Sequence, residues 1–291
     1  MIRPARWLAA ASVVAALLPA VVVPAFAAET YEMFDAGKFS NPTKIDNAWF
    51  PIVPGTRFVW EGSSVDEEGD LENHSIVFTV TDLTKVIGGV EVIVCLDRDF
   101  VDGELEEQEI IFFAQDDAGA VWHLGEYPEE YDNGTLVASP GWVHGFKGWL
   151  AGVMMPADPK LGDPSFAQGL ARSIPWTDRA IVYKVDQEIE VPAGTYTGVL
   201  VFDETNEEEP NAHQYKYYAR GVGNIQVGWA GEDETQEVLK LVSVDKLSEK
   251  LLADARELAL GLDERSRKTH PEEFGKLPPA KQAKDRGERA D

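Results

Sequence analysis

Nine segments of this chain read as β-strands, and the turns between several of them are too short for anything but hairpins. Residues 56–63, 73–84, 90–99, 105–115, 121–127, 180–191, 197–205, 213–219 and 236–244 are rich in Val, Ile, Phe and Thr. In 75–81, Ser75, Val77, Thr79 and Thr81 point one way while Ile76, Phe78 and Val80 point the other, the period of a pleated strand. Gly88-Gly89, Asp102-Gly103, Asp117-Ala118-Gly119 and Asn133-Gly134 separate the early segments. Tight hairpin turns need positive φ, which Gly, Asn and Asp tolerate. The pattern predicts an all-β fold: an antiparallel meander forming a curved sheet or partly open barrel of about 9–12 strands. Strand–helix alternation is absent, which argues against a doubly wound parallel sheet.

Both ends of the chain break this pattern. Arg3 and Arg6 precede an apolar run over 7–23, followed by Pro24 and Ala25-Phe26-Ala27. This is the layout of a secretory signal peptide over 1–27, with cleavage expected after Ala27 and a secreted or periplasmic destination. No Cys follows the run to accept a lipid, so a lipoprotein is not expected, nor is a membrane span in the mature chain. The acidic β domain is expected over 28–245. After Asp245, Leu247, Leu251, Ala255, Leu258 and Leu262 recur at helical spacing, which predicts an amphipathic helix over 246–262 that ends near Gly261 and packs back on the sheet. Residues 263–291 are charged and poor in large apolar side chains, and read as a disordered tail.

Charge narrows the partners. The chain holds 51 Asp+Glu against 26 Lys+Arg, a net charge of −25. Residues 29–245 hold 41 acidic and 13 basic side chains, for −28, while 246–291 hold 10 and 11, for +1. An acidic body is poorly suited to nucleic acid and to anionic membranes. A small molecule or a cation is compatible with this charge, which leaves the oligomeric state open. The single cysteine, Cys95, permits no internal disulfide, and its setting in Val92-Ile93-Val94-Cys95-Leu96 reads as a buried small hydrophobe.

Familiar catalytic signatures are missing. There is no Gly-x-Ser-x-Gly, His-Glu-x-x-His, Cys-x-x-Cys or phosphate-cradling loop. Asp66 to Glu72 resembles a calcium loop only superficially, because its glycine is misplaced. Among five histidines, His74 opens a strand, His144 lies in a loop, His270 lies in the tail, and His123 and His213 lie within strands. By strand parity His213 shares a face with Tyr215 and Tyr217, and Trp122 shares one with Leu124 and Glu126. Between 139 and 176 the strand pattern lapses into Gly, Pro and aromatics, including Trp142 and Trp149, a stretch that could be a lid or a loop pinned by its tryptophans. The candidate ligand-binding set is therefore Trp122, Glu126, His213, Tyr217, Trp142 and Trp149. No cofactor is expected beyond weak binding of divalent cations by carboxylates. The leading expectation is a non-catalytic binding protein for a small apolar ligand or divalent cations. A secreted carboxylate-dependent hydrolase using His123 or His213, or an envelope structural or partner-binding protein, are the alternatives.

Four blocks add a resemblance. They are 47–62, beginning Asn47-Ala48-Trp49-Phe50-Pro51 and including Pro54-Gly55-Thr56; 114–127, ending Gly125-Glu126-Tyr127; 155–163; and Tyr217-Tyr218-Ala219-Arg220-Gly221-Val222-Gly223. Together the chain resembles a family of secreted bacterial all-β proteins without assigned activity. The resemblance implies an extracytoplasmic, mostly β protein and brings no catalytic residues with it.

Overall fold

The computed structural model describes residues 31–66, 68–174 and 176–283; the expected signal peptide and the end of the expected tail lie outside the described residues. The strands are β1 (Thr56–Val65), β2 (Leu71–Ile87), β3 (Val90–Val101), β4 (Glu104–Gln115), β5 (Val121–Asp132), β6 (Thr135–Ala138), β7 (Trp142–Val143) and β8 (Leu150–Met155). They continue with β9 (Phe166–Ala167), β10 (Gly169–Leu170), β11 (Arg179–Val191), β12 (Gly194–Thr205), β13 (Ala212–Ala219), β14 (Gly223–Gly231) and β15 (Val238–Lys246). Helix α1 (Glu249–Thr269) and a two-residue strand β16 (Lys281–Gln282) complete the described chain.

The hairpin turns have the backbone their residues predict. Gly88-Gly89, Asp102-Gly103 and Asn133-Gly134 all have positive φ at both positions, and they join Ile87 to Val90, Val101 to Glu104 and Asp132 to Thr135. That sense of turn matches the right-handed twist of the flanking strands. One strand was hidden in the sequence: β14 carries three glycines, which suppress strand propensity, yet Ile225 and Val227 are buried in register with its neighbours.

Two antiparallel meanders, β1 to β5 and β11 to β15, are fused by the pairing of β1 with β15. The sheet path runs β10-β8-β5-β4-β3-β2-β1-β15-β14-β13-β12-β11-β9 and is not closed by a continuous ladder. Its two ends nevertheless meet. β9 pairs with β11 and β10 pairs with β8, and only Gln168 separates β9 from β10. The sheet therefore curves round on itself and leaves an open hollow on its concave side. The 139–176 connector contributes β7 to β10 to this edge, and Trp142 and Trp149 are buried, so the tryptophans pin it against the sheet.

The helix departs from expectation in two ways. It runs to Thr269, past Gly261, and the chain after it packs on the sheet: Phe274 is fully buried against Tyr127, and β16 pairs with β2. A glycine inside a helix costs about 1 kcal/mol, less than the roughly 1.5–3 kcal/mol that full burial of Leu262 just beyond it returns. The buried stripe is Ala255, Ala259, Leu262, Asp263 and Ser266, whereas Leu251 and Leu258 are largely exposed. Small residues let the helix approach the outer face of β2 to β5, where polar groups fix it. Lys85 Nζ lies 2.6 Å from Asp263 Oδ1 with both side chains buried. Arg256 makes a two-pronged contact to Asp82, and Arg265 to Glu129.

Candidate functional site

The concave side of the sheet holds a cavity in two adjoining parts. The first, of about 190 Å³, is walled by Phe58, Trp60, Ile76, Phe78, Phe113 and Tyr218 among others. The second, of about 470 Å³, is walled by Glu107, Glu109, Glu126, Glu130, Asp178 and Glu204, with His123, Gln168 and Trp176. Asp97, Ile111, Phe113, Met154 and Lys216 line both, so the two parts abut. Residues of both meanders contribute, which places the space inside the curvature.

Strand geometry explains the polarity. On β4, alternate residues Glu107, Glu109, Ile111 and Phe113 face the cavity, so one strand face turns from acidic to aromatic along its length. β12 and β13 run the same gradient on the far side: Glu204 pairs with Gln214, Phe202 with Lys216 and Leu200 with Tyr218. At the acidic end the register sets like charges opposite one another, Asp97 beside Glu109, Asp99 beside Glu107, and Glu107 beside Glu130. Such pairs are destabilising when both members are ionised.

Protonation relieves them. Burial, helped by Asp99, pushes Asp97 up to about 7. Burial and then Asp97 push Glu107 up to about 8, and burial and then Glu204 bring Asp178 to about 7. Glu109 and Glu126 are raised well above the carboxylate range by burial and by neighbouring carboxylates. Glu204 is raised by burial against the pull of Lys216. Lys216 is the one lysine or arginine in this lining.

His123 reaches the cavity through a defect. Ile111 pairs with Glu126 and Phe113 with His123, so Phe112 faces two residues of β5, Leu124 and Gly125. This bulge turns positions 123 and 126 to the same side, which simple parity forbids. Gly125 makes it possible: its φ is +140°, and a Cβ there would stand 2.4 Å from the Trp142 carbonyl oxygen. His123 Nε2 lies 3.1 Å from the Gly125 carbonyl and 3.4 Å from Glu126 Oε2, and Nδ1 has no hydrogen-bond partner. Burial lowers its pKa to about 4, so the ring is neutral.

Of the six sequence candidates, only Glu126 lines the cavity. Trp142 stands behind it, fully buried, edge-on to His123 at 5.0 Å and stacked on Trp176 at 6.0 Å. Trp122 packs on Phe34 and Phe39 and donates to Asp116, away from the cavity, because the bulge separates it from Glu126. Trp149 donates to Ser173 and serves the connector. His213 and Tyr217 alternate with the lining residues Gln214, Lys216 and Tyr218, and so face outward; His213 Nδ1 pairs with Asp203 at 2.8 Å. A catalytic pair of Glu126 and His213 therefore has no geometry.

Sequence reasoning missed Asp97, Asp178, Glu204 and Lys216, and the aromatic wall. It did not single out Glu107 and Glu109 either, although their strand parity with Ile111 and Phe113 was an available signal. His74, at the start of a strand, where exposure is the default, is instead buried between Asp99 at 2.5 Å and Glu237 at 3.2 Å. Burial opposes its charge, but the hydrogen bond and charge of Asp99 outweigh this and raise its pKa. Among the described residues no three His, Cys, Asp or Glu side chains converge as a metal site; the carboxylates form a spread wall. No helix among them is long and apolar enough to cross a membrane.

No family model and no curated protein matches the chain. Two crystal structures are similar at low identity. One, from Bacteroides fragilis, is described as a putative exported protein with YmcC-like fold; it is 13% identical with a TM-score of 0.38, covering 69% of this chain and all of the other. The second, described as a putative lipoprotein from Parabacteroides distasonis, is 12% identical with a TM-score of 0.36 and the same coverage.

Proposed function

We propose that this protein is a non-catalytic binding protein that carries a small ligand inside its curved sheet. The observation that supports this is the concave space itself, an aromatic part abutting a larger polar part, in the size range of small-molecule sites. The neutral apolar dye N-phenyl-1-naphthylamine should brighten on entering the aromatic part. Met154→Trp, which fills the junction, should abolish the brightening while the protein still melts cooperatively. Native mass spectrometry of protein taken from its own cell envelope should show an added mass. Absence of both signals in the parent protein would overturn the proposal. A carboxylate hydrolase is the second reading, favoured by Glu126 at 3.4 Å from the neutral His123. A screen of chromogenic esters and glycosides, with Glu126→Gln as the inactive control, tests it.

A further inference from the structure

Resting on that reading, we infer that the ligand is an amphipathic organic cation, with its ammonium end among the carboxylates of the larger part and its apolar end against the aromatic wall. Four observations carry this. First, the larger part has seven lining carboxylates against a single lysine. Their cross-strand register sets Asp97 against Glu109 and Glu107 against Glu130, an arrangement that costs stability in the empty protein once both members ionise. A bound cation removes that cost.

Second, His123 supplies a buried acceptor with no donor. It is 2% exposed and lines the larger part. The neutral ring carries one N–H, and Nε2 donates it to the Gly125 carbonyl at 3.1 Å. One nitrogen therefore keeps an unshared lone pair, and Nδ1 is the one without a partner. An N–H donor on the ligand satisfies it. A carboxylate or phosphate does not.

Third, the apolar part gives the ligand its second character. Phe58 pairs with Phe78 and Trp60 with Ile76 across β1 and β2, and Tyr218 closes the opposite side. Dispersed aliphatic or aromatic groups fit such a wall, whereas a compact metal ion leaves it unfilled. The carboxylates also do not converge as a metal cage does.

Fourth, a smaller space of about 140 Å³ adjoins the larger part through Asp178, Glu204 and Gln214, and is lined in addition by Glu209 and Asp233. An acidic approach on a body of net charge −28 concentrates cations at the site.

Octylammonium, octanol and octanoate share a tail and differ in the head group, and calorimetry on the full chain separates them. Octylammonium should bind at least roughly tenfold tighter than octanol, the factor expected of a charge-assisted contact, and octanoate should not bind. At pH 8.5, where Asp97 and Glu107 ionise, Asp97→Asn and Glu107→Gln should each weaken octylammonium roughly tenfold and leave octanol unchanged, with thermal melts confirming that each variant folds. If octanol or octanoate binds as tightly as octylammonium, the inference is overturned while the cavity reading stands. The same holds if none of the three binds but N-phenyl-1-naphthylamine does. If the dye also fails to bind, the cavity reading falls first.

Discussion

Asp97→Asn should make the empty protein more stable at alkaline pH, against the usual expectation for altering a half-buried polar side chain. Asp97 sits on β3 opposite Glu109, accepts from the Arg98 N–H at 2.9 Å, and has its pKa pushed from 3.8 to about 7 by burial and by Asp99. Because the folded value lies above the unfolded one, the folded protein binds a proton that the unfolded chain has released. The resulting stability is fully present below about pH 4 and is lost as the pH rises through 7. Three pKa units correspond to about 4 kcal/mol. Asp97 is only half-buried, and solvent screening at such a position brings the expected effect to roughly 2 kcal/mol. Asn keeps the size and the acceptor for Arg98 but cannot ionise. The parent should lose stability between pH 5 and pH 8.5, and the variant should lose less. At pH 8.5 the variant's Tm should be higher by about 4–8 °C, given about 2–4 °C per kcal/mol for a domain of this size. Thermal melts followed by circular dichroism at low salt measure this. A variant less stable than the parent at pH 8.5, or an unchanged slope with pH, would show that Asp97 is ionised and paired in the empty protein, and the account of the acidic wall would fail.

Three further outcomes follow from the packing. Lys85→Met leaves Asp263 buried without its lysine and should cost about 3–5 kcal/mol in chemical denaturation; Lys85→Met with Asp263→Leu should recover much of that, and a single variant as stable as the parent would refute the buried pair. Cys95 is fully buried and its thiol is pushed far above its ordinary pKa by burial, so it should resist 5,5′-dithiobis(2-nitrobenzoate) in the native protein and react at once in denaturant; prompt native labelling would contradict its position. Gly125→Ala should lower stability by about 1–3 kcal/mol, since its φ of +140° and the Trp142 carbonyl leave no room for a Cβ; a neutral effect would mean that the bulge relaxes without it.

The sequence made the fold legible wherever local chemistry decides the structure. Hairpin turns such as Asp102-Gly103 depend on the backbone freedom of two residues, and strands such as β4 show their alternation without reference to a partner. What it concealed depends on distant register. β14 was hidden because its glycines lower propensity, while pairing with β13 and β15 supplies the stability. The end of α1 was misplaced at Gly261 because Leu262 packs on the sheet and Asp263 pairs with Lys85, 178 residues away, contacts that local sequence does not show.

The site shows the same division more sharply. Parity alone groups Trp122 with Glu126 and separates His123 from both, and that grouping fails because of one residue. Gly125 absorbs the bulge that rotates Glu126 and His123 into the same space and leaves Trp122 outside. A reading by composition also dismisses the carboxylates, since with 41 acidic residues in the body some must lie close by chance. Register removes that objection. Chance proximity on a surface leaves charges free to turn toward water, but Asp97, Glu107 and Glu109 lie on facing positions of adjacent strands and point into the same concave space. They cannot separate without breaking the ladder. The sheet therefore holds a repulsion that protonation or a bound cation must offset, and this distinguishes the acidic wall from the acidic surface around it.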